Sequence, residues 1–462
     1  MKPVRNLFLP LLAILFFACT KESFTNNASA LLSTSVDTLH FDTVFTSTGS
    51  TTQFIKIINE NNKGIHISSV KLVGGASSPF KINVDGISGP QVNNTDVYAD
   101  DSVYIYVTVT INPTATNLPF IVRDSIEINY NGNKKFVQLD AYGRNAHFFR
   151  NRKITTSEVW NNDLPYVILG RLTVDINTTL TINQGCRIFC HADAPFIVNG
   201  TLQVNGEKYD STRVIFTGDR LDDPYRDFPA SYPGLIFTDV SKNNVLNYAI
   251  IKNAYQGIVV TEPSVGTKLT LNETIIDNAY DAGLFGINTS IAAQNLLVSN
   301  CGKNILLVNG GDYNFTHCTA ATFSSSYIQH KEPILVLTDY LNNATNNLKA
   351  SFQNCIFWAE SNGIVPNEVL VDKKGTGNPQ ILFDHVLWRV QTDPAYSTVS
   401  KAINNQNPLF DTINTAQKIY SFRLKNQSPA IDAGMNAGVT IDLDGNSRPI
   451  GLLPDLGAYE KQ

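Results

Sequence analysis

Methionine is all but missing: in 462 residues only Met435 follows Met1. Charge is scarce as well, with Asp, Glu, Lys and Arg at 16% and a formal net charge of −5. No Lys/Arg stripe accompanies it. A protein that neutralises nucleic-acid phosphates needs a concentrated cationic face, so nucleic acid is excluded as a partner. No CxxC pair occurs, which removes the usual thiolate spacing for a metal. Six cysteines are present, five beyond Cys19. Five is odd, so complete disulfide pairing is impossible. Cys186 and Cys190 would share one face of a strand about 13 Å apart, beyond disulfide reach. With Cys301, Cys318 and Cys355 in apolar runs, all five read as small buried hydrophobes. Ser/His/Asp and Cys/His spacings of a nucleophilic enzyme are absent, and the glycine pairs are turns rather than phosphate loops.

Val, Ile, Thr, Tyr and Phe are plentiful, with 25 Phe and 18 Tyr among them, and these residues suit pleated strands. One apolar run stands out, "LFLPLLAILFFA" at 7–18, preceded by Lys2 and Arg5. It is short for a membrane span and reads as a targeting segment. Cys19 follows a small residue, so the segment resembles a bacterial lipoprotein signal, with Phe16 where that pattern more often has Leu. The resemblance implies a signal peptide at 1–18, acylation of Cys19 (palmitate included) and a tether at 19–34, the lipid holding the chain to a membrane. A cleaved signal with a chance cysteine is the alternative. The expected location is the cell envelope, anchored to the outer membrane, with the periplasmic or surface face open.

Two β architectures follow in tandem. Over 35–146, "QFIKII", "GIHISSVKLV", "DSVYIYVTVTI", "DSIEINY" and "KFVQLDAYG" alternate polar and apolar residues, and "NGNKK" marks a hairpin. About seven short strands in about 110 residues predict an immunoglobulin-like β-sandwich without a bridging disulfide. His40 and His66 stand alone there and read as strand residues. From 165 to 218 the strands continue without tight hairpins or helical periodicity. "AIIKNAYQGI" matches "TIIDNAYDAGL", moving the shared Asn from 253 to 278, a step of 25; Asn300 and Thr322 follow at steps of 22. Later steps lengthen to 37 (Cys318 to Cys355) and 30 (Cys355 to His385), which places insertions at "YIQHKEP" and "YLNNATNN". Such a period is one turn of a right-handed parallel β-helix, expected over 147–440, and 155–435 has room for about eleven coils. In this all-β chain Asn253, Asn278 and Asn300 are read as a corner ladder. Open ends expose strand edges, so the sandwich with the Trp160 region is expected to close the first and 441–462 the second.

"SPAIDAG", "DLDGNSRP" and "DLGAYE" near the C-terminus are similar to the closing segment of bacterial pectin-lyase-like β-helix proteins. "FTGDRLDDPYRDFP", "GLIF" and "LNYAIIKNAYQGI" resemble uncharacterised Bacteroidetes β-helix lipoproteins with an N-terminal sandwich. The resemblance implies architecture and carries no reaction with it.

Charge concentrates once, in residues 219–227. As an enzyme, a polysaccharide lyase or glycoside hydrolase would use Asp222 and Asp223 with Arg220 and Arg226. Pectate-lyase-like chemistry would add Ca²⁺ held by Asp219, Asp222, Asp223 and Asp227. In the superfamily such carboxylates come from successive rungs, whereas these come from one loop, and the Gly-His-Gly of galacturonidase-like sites is missing. As a binding rim, Asp219, Tyr225, Asp227 and Tyr232 would meet a sugar. As a brace, two arginines and their carboxylates neutralise one another, while Tyr225, Phe228 and Tyr232 pin the loop and its prolines stiffen it. The brace is favoured. Asp442, Asp444 and Asn446 in "DLDGN" alternate like calcium ligands but lack the rest of an EF-hand, and Asp-Gly-Asn is also a turn. No other cofactor is expected. The favoured function is a non-catalytic lipoprotein that binds a polysaccharide or another envelope protein, or serves a structural role; the alternative is the polysaccharide-degrading enzyme.

Overall fold

A computed structural model describes residues 23–46, 49–112, 120–360 and 364–462; Cys19 and the segment before it lie outside the described residues. The chain divides into two compact units between Asn145 and Ala146. It is all-β.

The first unit holds two five-stranded sheets. One runs in the order Ser33–Thr34, Gln53–Asn59, Asp101–Val109, Phe80–Val84, Ile87–Ser88; the other runs Thr38–Phe45, Asn133–Arg144, Phe120–Tyr130, Ile65–Leu72, Gln91–Val97. Pairing is antiparallel except between Thr38–Phe45 and Asn133–Arg144, which run parallel. The alternation read from the sequence puts Ile55, Ile57, Ile105 and Val107 of one sheet in a single buried cluster with Ile67, Val70, Ile126 and Ile128 of the other. His40 pairs with Asp140 and His66 with Asp96 across neighbouring strands.

The second unit holds one 24-stranded sheet in which every pairing is parallel. Its strands are joined to partners about one coil onward: Leu235–Phe237 pairs with Gln256–Thr261, which pairs with Ala282–Gln294, which pairs with Lys303–Thr316. This is the pairing expected of chain wound in coils, and it is consistent with a β-helix. Alternate residues point inward and stack on their equivalents. Phe196, Leu235, Ile258, Leu284, Ile305, Leu335 and Val369 form one such column through successive register pairs, and none is more than 2% exposed. Each such side chain contributes about 1.5–3 kcal/mol by leaving water. Phe315, Phe352 and Phe383 stack likewise, with ring centroids 5.1 and 5.0 Å apart. Cys186, Cys190, Cys301, Cys318 and Cys355 are buried free thiols, and burial pushes the Cys186 thiol up to about 11.

The predicted steps hold. Ile251 registers with Ile276, so Asn253 meets Asn278, and Asp277 registers with Ser299 and then Ala321, so Asn278 leads to Asn300 and Thr322. The 37-residue step from Phe315 to Phe352 carries the insertions, including the hairpin Tyr340–Leu341/Ala344–Thr345. Trp160 stacks on Tyr166 with centroids 4.3 Å apart, inside the first coils.

The C-terminal segment lies elsewhere than the sequence led us to expect. Instead of a lid on the last coil, it is a strap along the flank of many coils. The corner residues Glu273, Asn295, His317 and Asn354 form the column it binds. Asn295 Nδ2 donates to the Ile441 carbonyl (3.0 Å), His317 Nδ1 meets the Asp455 carbonyl (3.1 Å), and Asn354 Nδ2 donates to the Met435 carbonyl (2.7 Å). Further back, Arg213 donates to the Leu443 carbonyl at 2.6 Å. Leu297, Ala321 and Ile356, which face outward, are covered by Leu443, Leu456 and Tyr459 in a second buried cluster. An outward apolar row needs such a cover, and the strap supplies it.

Candidate functional site

The charged loop joins the strands Val214–Gly218 and Leu235–Phe237 and contains a short 3₁₀ turn, Tyr225–Asp227. Its charges separate into pairs. Asp219 accepts from His191 Nδ1 at 2.7 Å. Arg220 grips Asp222 with two bonds of 2.7 and 2.8 Å while its guanidinium lies 3.9 Å over the Tyr225 ring. Arg226 sits 3.0 Å from Asp223 and 3.8 Å from Asp227, and Lys418 approaches Asp227 to 4.0 Å. Burial pushes the Asp219 carboxyl up, with the His191 bond opposing it; the bond to Asp222 pushes the Arg220 guanidinium up. Among the described residues no group of three or more His, Cys, Asp or Glu side chains is placed to hold a metal ion.

Tyr232 faces inward. It is 1% exposed and belongs to the coil core, which removes it from any sugar-facing rim. Burial pushes its hydroxyl well above the usual range. It anchors the loop from below, and the asparagine corner anchors it from the side. Asn253 Nδ2 donates to the Arg226 carbonyl (2.8 Å), and Asn278 Nδ2 donates both to the Asp227 carbonyl (3.0 Å) and to Asn253 Oδ1 (2.8 Å). Asn300 turns instead to Asp277 (3.2 Å). These corners have φ of 64°, 56° and 51°, a left-handed conformation that Asn tolerates better than most residues.

The loop's outer aromatic edge leads into a cleft of about 400 Å³ that motif reading missed. Tyr225 packs on Phe228 (5.1 Å) and Phe228 on Tyr327 (4.6 Å). Tyr327 is one wall of the cleft; Tyr255 and Tyr280 are the other, with centroids 6.0 Å apart, planes 25° apart, and 47% and 51% exposed. The next coil offers Gly302, where an added Cβ would stand 2.4 Å from the Tyr280 carbonyl oxygen. No side chain fits there, so the row of exposed rings ends at Tyr280. Asp281 lines the cleft, accepting from Gln256 Nε2 at 2.7 Å and facing Lys303 at 3.4 Å. The signal was in the sequence: Tyr255 and Tyr280 occupy the same place in "NAYQG" and "NAYDAG". Two exposed rings one coil apart, beside a carboxylate, an ammonium and an amide, can stack on sugar faces and bond hydroxyls.

In "DLDGN" the oxygens are taken. Asp442, 1% exposed, accepts from the amides of Asp444 (3.0 Å), Asn446 (2.8 Å) and Glu460 (3.0 Å). Asp444 is held by Arg423 through bonds of 2.7 and 2.9 Å. Asn446 caps the turn, donating to Asp442 Oδ2 at 3.4 Å.

No family model matches the chain, and no curated protein matches it. Among solved structures, the chain is slightly similar to a family 123 glycoside hydrolase from Clostridium perfringens that hydrolyses glycolipid glycans (12% identity, TM-score 0.18, 25% of this chain and 26% of that one). It is also slightly similar to the PapD-like domain 7 of human CEP192 (9% identity, TM-score 0.18, 28% of this chain and 92% of that one). A third likeness is to the Salmonella enterica SafA pilin in complex with the SafB chaperone (15% identity, TM-score 0.16, 27% of this chain and 57% of that one). The chain thus spans about a quarter of the hydrolase, and likenesses this slight carry no functional weight.

Proposed function

We propose that the protein is a cell-envelope lipoprotein, lipidated at Cys19 and anchored to the outer membrane, whose immunoglobulin-like sandwich and right-handed parallel β-helix present a non-catalytic glycan-binding surface. The observation that carries the binding reading is the tyrosine cleft: Tyr255, Tyr280 and Tyr327 line it together with Gly302, Asp281 and Lys303. Binding is favoured over turnover because Asp281 and the loop's carboxylates already have partners. That leaves Glu332, beside Lys331, as the one lining carboxylate without an ion pair among the described residues, where glycoside hydrolysis uses two. Asp281 is held by Gln256 and Lys303, and the neighbouring loop pairs Arg220 with Asp222 and Arg226 with Asp223. A charge-paired loop of this kind braces the tyrosine wall.

The test is retention of the full chain on a panel of immobilised acidic and neutral polysaccharides, with a parallel assay for new reducing ends and unsaturated uronates. Retention without turnover, lost by about tenfold or more in Tyr255→Ala/Tyr280→Ala, is expected, since an aromatic contact is worth about 1 kcal/mol or more per ring. New chain ends would establish the enzyme reading instead. Neither retention nor turnover would leave a scaffold. Cys19→Ser is expected to release the protein from the membrane fraction.

A further inference from the structure

Asparagines at several corners of the second unit are spent on one another. Asn183 donates to Asn161, Asn272 to Asn247 and Asn278 to Asn253, each at 2.8 Å. At the corner that follows the strand Gln256–Thr261 and its successor, Asn288 Nδ2 donates to Glu262 at 3.4 Å, and beyond it the habit changes. Asn314, Asn347, Asn378 and Gln380 make no side-chain hydrogen bond among the described residues, and all four line one groove of about 820 Å³. Thr289 lines it too. It is 1% exposed and its side chain points inward with Ile291 and Ala293, so it meets the groove through its backbone. The four amides are exposed, so each presents both a donor and an acceptor to whatever enters the groove.

The groove has a direction and a charge. Ser290 registers with Asp312, Asp312 with Lys349 and Lys349 with Gln380, and the turn at 263–267 adds the coil before them. Four steps of about 4.8 Å give a length of about 19 Å along the stacking direction. Among the described residues the only charged side chains lining it, Asp312 and Lys349, face each other at 3.2 Å and cancel. No aromatic side chain lines it.

We infer that this groove is a second binding site, separate from the tyrosine cleft, for an uncharged oligosaccharide laid along the stacking direction of the coils. A primary amide donates and accepts at once, as a sugar hydroxyl does, so a row of free amides matches a row of hydroxyls. A uronate chain would bring carboxylates to a lining whose one ammonium is already paired with Asp312. A neutral chain has no such mismatch.

The experiment is a glycan array of neutral and uronate oligosaccharides probed with the full chain, with Asn314→Ala/Gln380→Ala and Tyr255→Ala/Tyr280→Ala in parallel. The substituted side chains are exposed or half-buried at the surface, and melting curves check that each variant folds. The expected result is retention of neutral oligosaccharides over uronates, weakened by about tenfold in the amide variant, the loss of one or two hydrogen bonds, and with the preference for neutral chains kept in the tyrosine variant, which loses only what the cleft holds. Three results would overturn the inference: no neutral oligosaccharide retained, uronates preferred, or neutral binding untouched in the amide variant. Neutral binding lost only in the tyrosine variant would uphold the cleft and sink the groove. Loss in the amide variant alone upholds the groove whatever becomes of the cleft.

Discussion

Lowering the pH should loosen the second unit through one imidazole. His317 is fully buried; its Nδ1 meets the Asp455 carbonyl at 3.1 Å and its Nε2 meets Asn354 Nδ2 at 2.9 Å. The neutral ring with its proton on Nδ1 satisfies both partners. A second proton would point at the Asn354 amide donor, next to the Arg448 guanidinium. Burial first, and Arg448 second, push the His317 pKa down to about 2. A folded pKa below the unfolded value means that the stabilisation is complete above the unfolded pKa of about 6.5 and is lost as pH falls from there toward the folded one. At about pH 4.5 the unfolded chain has gained two units' worth of protonation that the folded one refuses, about 2–3 kcal/mol. Asp455 and Glu460, whose carboxyls burial pushes up, act in the opposite sense in the same network, so the measurement must be a difference. His317→Asn is the control, because Asn295 and Asn354 hold the same left-handed corner in neighbouring coils (φ 50° and 56°, against 53° at His317). Urea unfolding followed by tryptophan emission reads this unit, since Trp160, Trp358 and Trp388 all lie in it. Wild type should lose about 2–3 kcal/mol more than the variant between about pH 7 and pH 4.5. Equal losses in the two proteins would refute the reasoning.

Other expectations follow from single contacts. Lys268 is fully buried and donates to the carbonyls of Thr238 (3.1 Å), Asp239 (2.8 Å) and Thr261 (2.7 Å); Lys268→Met strands those three acceptors and should cost about 2–3 kcal/mol or more in chemical denaturation. Arg220→Ala removes a half-exposed pair and one ring contact and should cost no more than about 1 kcal/mol, with glycan retention kept. Because backbone amides already fill the Asp442 oxygens, a chelator should leave the melting temperature unchanged, whereas Asp442→Ala should lower it by several degrees.

The coils were legible because stacking forces equivalence. A column such as Leu235, Ile258 and Leu284 recurs at a nearly fixed step, and the asparagine corners mark where each wall ends. The brace was legible because oppositely charged neighbours in one loop can reach each other without any knowledge of the fold. What could not be read were contacts whose partners are far apart in the chain. Tyr232 looked like a rim residue because alternation in a loop says nothing about which side is inward. The tyrosine cleft was half visible, as a repeat, but Tyr327 comes from an insertion that no period predicts. The strap was hidden for the same reason: Asn295, His317 and Asn354 look unrelated until the coils align them.

The strap also orders events in time. The strap's residues are synthesised long after the corners they bind, with 230 positions separating Arg213 from Leu443. The outward apolar row under Leu443, Leu456 and Tyr459 therefore stays wet until the strap has been made. A chain cut short before residue 441 would display that greasy stripe, a mark by which proteases and chaperones can tell a copy without its strap from one that has it.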